Sequence, residues 1–182
     1  MRWADTNSGY GWLSIVLHWI GAAVIVTLWA IGDWMQGVST LESSELRDYH
    51  ISIAASAWLL IVARIVWRIK SSHPRLDGQS NFTHQLAKGM HYLLLFSISM
   101  MVISGPMMLW TAGLSIEIFE VISIPSPIPP MLTLNLIAVD THKFFANAVV
   151  ILTLVHIAGA FKHLMFNDDD TFISMLIAAK SK

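Results

Sequence analysis

Asp140–Gly159, DTHKFFANAVVILTLVHIAG, decides the fold. It carries His142 and His156, fourteen positions apart, with an almost uniformly apolar run between them. A run of this kind suits a membrane span, which needs about 20 apolar residues. Ionisable groups inside such a span are costly and usually functional. At 1.5 Å and 100° per residue, fourteen residues advance about 21 Å and fall only about 40° short of four turns. The two imidazoles therefore point roughly the same way, near opposite faces of a bilayer.

The rest of the chain fits the same setting. Of its 182 residues, 55% are hydrophobic and 13% charged, against about 25% charged in a soluble domain. A net charge of -1 gives no electrostatic footprint for nucleic acid, so none is expected as a partner. The absence of cysteine removes disulfides, iron–sulfur clusters, thiolate zinc sites and covalent c-type haem. Apolar runs predict four spans in one all-α membrane domain over residues 1–182, an integral four-helix bundle surrounded by lipid. The spans are about 12–32, 50–69, 90–110 and 141–166, with outer loops at about 33–49 and 111–140. The first reads as a true span because it lacks a basic lead and a small-residue cleavage site.

Arg2, Arg68, Lys70, Arg75, Lys88, Lys162, Lys180 and Lys182 lie at the termini or between spans two and three. Arg47 and Lys143 lie on the other side. The positive-inside rule then puts both termini in the cytoplasm. The segment IPSPIPP, residues 124–130, breaks any helix. The apolar run Leu114–Ile124 is too short to span and is expected in the interface or as a cap on the bundle. The tail from Asn167 to Lys182 is expected to form a short amphipathic segment on the cytoplasmic surface.

Depth sorts the histidines into an inner layer of His18, His91 and His156 and an outer layer of His50 and His142. His73 and His84 fall in the inner loop, and His163 at the inner end of the last span. Counting fourteen residues onward from His18, His91 and His50 reaches Gly32, Gly105 and Arg64. Helices one and three thus offer open space near the outer layer, and helix two offers a cation near the inner one. Two imidazoles across a bundle are the arrangement that holds a haem iron from both axial sides, and a non-covalent b-type haem needs no cysteine. Bridging or interfacial histidines are the plainer alternative. Zinc is disfavoured, since it wants three or four protein ligands. Depth alone leaves the inner pair open among three histidines.

The chain resembles the bacterial cytochrome b561 family. The segments that carry the likeness are SIVLHW at His18, LRDYHISIAASAWLLIVARIVWRI with His50, Arg64 and Arg68, and GMHYLLLF at His91. HKFFANAVVILTLVHIAGAFKH with His142, His156 and His163, followed by DDDTF, completes the set. The resemblance implies a multi-pass protein of the bacterial inner membrane with two haem b groups. It implies that His18 and His156 hold the inner haem iron and His50 and His142 the outer one. It further implies transfer of electrons from superoxide on the periplasmic side to ubiquinone near the cytoplasmic side, with His91 and His163 as candidate quinone partners. Arg64 is expected to meet a haem propionate, whereas Arg68, nearer water, reads as snorkelling to the interface. The tryptophans read as an interfacial belt.

Superoxide is an anion, yet Asp33, Glu42, Glu45, Asp48, Glu117, Glu120 and Asp140 make the outer side acidic. Only Arg47 and Lys143 offer an attractive approach to the outer site. The alternative is an electron-transfer subunit joining a periplasmic redox partner to the quinone pool.

Overall fold

A computed structural model describes residues 2–6, 9–71, 74, 81–162, 165 and 173–178. It contains four long helices: α1 (Trp12–Trp34), α2 (Thr40–Lys70), α3 (Asn81–Thr111) and α4 (Leu132–Lys162). All four are long and apolar enough to cross a membrane, consistent with an integral-membrane four-helix bundle. Between α3 and α4 a small antiparallel hairpin pairs β1 (Ile116–Ile118) with β2 (Ile122–Ile124).

The helices outrun the apolar windows that announce them. α2 begins ten residues before His50, α3 nine before Met90 and α4 nine before Thr141. The loops expected at 33–49 and 111–140 shrink accordingly to 35–39 and 112–131. For α2 the cause is a cap. Ser39 Oγ lies 3.4 Å from the Glu42 amide and donates to the Glu42 carboxylate at 3.0 Å, an S-x-x-E capping box upstream of the hydrophobic run. His50, His91 and His142 consequently sit well inside their helices.

Backbone contacts group the chain into two compact units, each drawing on all four helices. The first comprises Met1–Trp19, Ala63–Ile98 and Asn147–Lys182; the second comprises Ile20–Val62 and Ser99–Ala146.

In the first unit the N-terminal residues fold over the start of α1. The Asp5 carboxylate accepts from the Gly11 amide at 2.8 Å. The carbonyls of Arg2 and Trp3 accept from Trp12 and Leu13. Three amides that a helix start leaves unpaired are thereby satisfied. A side chain at Gly11 would stand 2.4 Å from the Trp3 carbonyl oxygen, so only glycine permits this fold-back. Arg68 donates to Asp5 at 3.3 Å, with the Asp5 side chain only 2% exposed, and its guanidinium lies over the Tyr10 ring. Arg68 is therefore not a residue reaching for water; a buried carboxylate 63 positions earlier holds it. Trp67 donates to Ser14 Oγ at 2.7 Å. Trp19 donates to the Met175 carbonyl at 2.8 Å, tying down the short 3-10 turn Ile173–Met175. Most of the expected amphipathic tail lies outside the described residues.

The second unit closes α3 with few loose ends. Gly113 adopts a left-handed φ of 78°. Leu114 N–H bonds the Leu109 carbonyl and Gly113 N–H the Trp110 carbonyl, the double closure of a Schellman motif. Asn135 Nδ2 donates to the Met108 carbonyl, and Met131 N–H to that of Thr111. All four terminal carbonyls of the helix thus have partners. The expected cap over residues 114–124 is the hairpin, whose turn holds Phe119 and Glu120 at φ 48° and 57°. Left-handed geometry costs an L-residue roughly 1–2 kcal/mol. Buried Ser52 on α2 holds the turn in place, accepting from Phe119 N–H at 2.9 Å and donating to the Glu117 carbonyl at 3.3 Å.

α3 continues through Pro106. Proline has no amide hydrogen, so the Val102 carbonyl loses its helical partner. The Trp58 indole donates to that carbonyl at 3.2 Å. Trp58→Phe should therefore destabilise the protein by about 1–3 kcal/mol, the cost of a carbonyl left unsatisfied away from water. In a Pro106→Ala background, which restores the helical bond, the same substitution should cost much less. Thermal unfolding in detergent of the two single variants and the double variant checks this; additive losses would exclude the pairing.

Candidate functional site

Among the described residues, the polar ones buried over backbone and side chain together are small: Ser14, Ser52, Ser97, Ser104 and Thr111. Membrane helices approach closely at such residues, and their hydroxyls serve as interhelical links. The histidines stand among these links.

In the first unit, the His18 and His156 rings lie 6.3 Å apart between centroids, with planes at 61°. His91 lies nearer to His156, at 5.3 Å and 60°. The three histidines expected at one depth thus come together, and Arg64 contacts the first of them, His18. Arg64 Nη1 donates to the His18 carbonyl at 2.8 Å and to that of Leu17 at 3.3 Å. Its Nη2 lies 3.1 Å from His18 Nδ1. The cation expected near the inner layer is there, and it is turned onto α1. His163 lies outside the described residues.

In the second unit, the His50 and His142 rings are 6.4 Å apart, with planes at 75°. Each is backed by one of the glycines reached by the fourteen-residue count. A side-chain carbon at Gly32 would stand 3.7 Å from His50 Cε1, and one at Gly105 would stand 3.6 Å from His142 Cε1. The space those glycines leave is taken by the imidazole edges themselves. Alanine would fit at either position, and anything larger would displace the ring. His142 Nδ1 lies 3.1 Å from Ser104 Oγ, a partner that the spacing of histidines gave no reason to seek. His50 Nδ1 is buried without a hydrogen bond. Arg47 and Lys143 are exposed, and Arg47 Nε lies 3.7 Å from the Asp48 carboxylate.

The spacing of these pairs tests their fit to a haem. Two iron–imidazole bonds of about 2.0 Å, plus roughly 1.2 Å from each nitrogen to its ring centre, separate the centroids by about 6.4 Å. His18–His156 and His50–His142 match that distance, whereas His91–His156 is short by about an ångström. Among the described residues, no group of three or more His, Asp or Glu side chains is placed to hold a metal ion. A pair of imidazoles suffices only when the ligand brings its own equatorial donors, as a porphyrin does. The residues present therefore fit a bis-histidine haem in each unit.

Comparison with known proteins agrees with this chemistry. A family model described as prokaryotic cytochrome b561 matches residues 9–177. The chain is 30% identical over 182 aligned residues to cytochrome b561 homolog 2 of Escherichia coli (strain K12), covering 97% of this chain and 95% of that one. Four apolar helices and this kinship make it a multi-pass membrane protein, consistent with the bacterial inner membrane. The chain belongs to the prokaryotic cytochrome b561 family and is a transmembrane electron-transfer protein.

Proposed function

We propose that the chain is an oxidoreductase carrying electrons through two b-type haems, one held by His18 and His156, the other by His50 and His142. The observation that carries this reading is the pair of centroid distances, 6.3 and 6.4 Å, at which two imidazoles leave room for one iron. When bound, each haem supplies a one-electron centre. The chain would supply the imidazole nitrogens of His18, His156, His50 and His142, with the Ser104 hydroxyl beside His142 and the Arg64 guanidinium beside His18. Arg64 sets a positive charge against His18, which favours an added electron nearby and offers a propionate a charged partner.

The substrates follow from the family resemblance and the charges. Superoxide gives up one electron on the side of Arg47 and Lys143 and leaves as dioxygen. Ubiquinone takes two electrons and two protons on the side of the chain termini, which the basic residues assign to the cytoplasm. His91, 5.3 Å from His156, is the candidate to pass a proton to the quinone, with His163 beyond the described residues as a second. One observation favours another donor. Arg47 lies beside Asp48, which weakens the positive approach among acidic residues. A basic periplasmic redox protein would meet that surface more readily than superoxide, and the chain would then be its link to the quinone pool.

Pigment analysis should give two non-covalent, six-coordinate haems per chain. Substituting Ala for His50 or His142 should remove one, substituting Ala for His18 or His156 should remove the other, and His91→Ala should retain both. A single haem in the wild type, or haem loss in His91→Ala, overturns the assignment. Arg64→Gln should lower the midpoint potential of the haem held by His18, because a cation that stabilised the reduced state has gone. An unchanged potential in the redox titration would place the guanidinium's effect elsewhere. If Arg47 and Lys143 steer superoxide, neutralising both should slow haem reduction about tenfold or more, and added salt should slow the wild type. Stopped-flow mixing with superoxide reads both. Acceleration by salt, or haems that superoxide leaves oxidised while a small basic electron carrier reduces them, decides for the protein partner.

A further inference from the structure

Three of the four histidines assigned to haem iron differ in what Nδ1 meets. His50 Nδ1 makes no hydrogen bond of normal geometry, the Leu28 backbone being the polar group that acts on its ring, and His18 Nδ1 faces a guanidinium, which can only donate. His142 Nδ1 faces the Ser104 hydroxyl at 3.1 Å. A hydroxyl carries one proton and two lone pairs. The Met101 carbonyl, one turn back on α3, lies 3.5 Å from Ser104 Oγ and is placed to take that proton. An imidazole that gives its Nε2 lone pair to iron holds its proton on Nδ1, so on the two-haem reading Ser104 is the acceptor toward His142. Had Ser104 donated instead, Nε2 would carry the proton and could not bind a metal.

The neighbouring residues enforce the contact. Ser104 is buried, 3% exposed. Gly105, the next residue, keeps the Cε1–Nδ1 edge of the same ring clear, so the ring lies close against α3. A serine followed by a glycine thus forms a cradle that sets both the orientation and the tautomer of one imidazole.

We propose that Ser104 is the positioning residue for the haem held by His50 and His142, acting through the His142 Nδ1–H···Oγ bond. This rests on the two-haem reading above. An acceptor on Nδ1 makes the imidazole a stronger donor to iron. It therefore stabilises the oxidised state and tightens haem retention at this site alone. The Arg64 guanidinium cannot play that part for His18: by the same rule, while it donates to Nδ1 the proton sits on Nε2, so His18 would take iron only with Arg64 turned from its ring, as toward a propionate.

The test uses the purified holoprotein in detergent. Ser104→Ala should weaken retention of one haem by 10- to 100-fold, the usual effect of removing an outer-shell partner, measured by competition with a haem-scavenging apoprotein. The midpoint potential of that same haem should rise, with the other unchanged. The affected haem must be the one absent from His142→Ala. Ser104→Thr, which keeps the hydroxyl, should restore both readouts. Ser104→Cys, similar in size but a weak acceptor, should fall between. If Ser104→Ala matches wild type in both readouts, or loosens both haems equally, the proposal fails and the ligand assignment stands. If His142→Ala keeps two haems, the ligand assignment itself fails.

Discussion

Hydrocarbon offers no hydrogen bonds, so every polar group that enters it must find a partner within the protein. That constraint explains most of the specific contacts here. Apolar side chains can face lipid freely, and many do: Leu59, Ile103, Phe144, Ile151 and Leu154 are all more than half exposed. Among the described residues the buried positions are shared between a few apolar side chains, Ile15, Ile61, Ala138 and Val149 among them, and the hydroxyls of Ser14, Ser52, Ser97, Ser104 and Thr111. Where proline removes a donor, Trp58 supplies one. Where α3 ends, Asn135 and three backbone amides cover its carbonyls. Where a charge is retained near the helix ends, as in Arg68, a buried carboxylate meets it.

The histidines extend the same logic to chemistry. A lone imidazole nitrogen in this setting is an expense. Facing pairs become worthwhile only if something between them uses both inner nitrogens. On the two-haem proposal a porphyrin iron would do so and would add a large apolar disc that a membrane interior solvates well. The outer nitrogens would then set the donor strength of each ligand, and Ser104 and Arg64 would bear on its potential from outside the iron's reach.

Much of this was legible in the sequence because it is periodic. Span length, histidine depth and the fourteen-residue interval all follow from regular helix geometry. The count from His18 and His91 even led to Gly32 and Gly105, although these make room for the histidine rings rather than for a bulky group of their own. The capping box at Ser39 and Glu42 was also readable, and would have moved the start of α2 outward. Other features leave no periodic trace. The Arg68–Asp5 pair joins residues 63 positions apart. The hairpin hides in an apolar run because Ile116, Ile118, Ile122 and Ile124 alternate with too few polar residues to announce a strand. Ser104 is one serine among several until His142 is placed beside it.

The chain leaves α3 at Thr111 and returns at Met131, whose amide bonds the Thr111 carbonyl at 2.8 Å. Gly113 and Pro130 touch so closely that a side-chain carbon on the glycine would stand 2.8 Å from the proline ring. Both ends of the excursion are thus clamped independently of what lies between them. For a loop with fixed ends, doubling the length costs only about 0.6 kcal/mol of closure entropy. The segment from Ser115 to Pro129 could therefore change in length at little entropic cost, provided that Ser52 on α2 and the Trp110 carbonyl keep the partners that Phe119, Glu117 and Ser126 now supply.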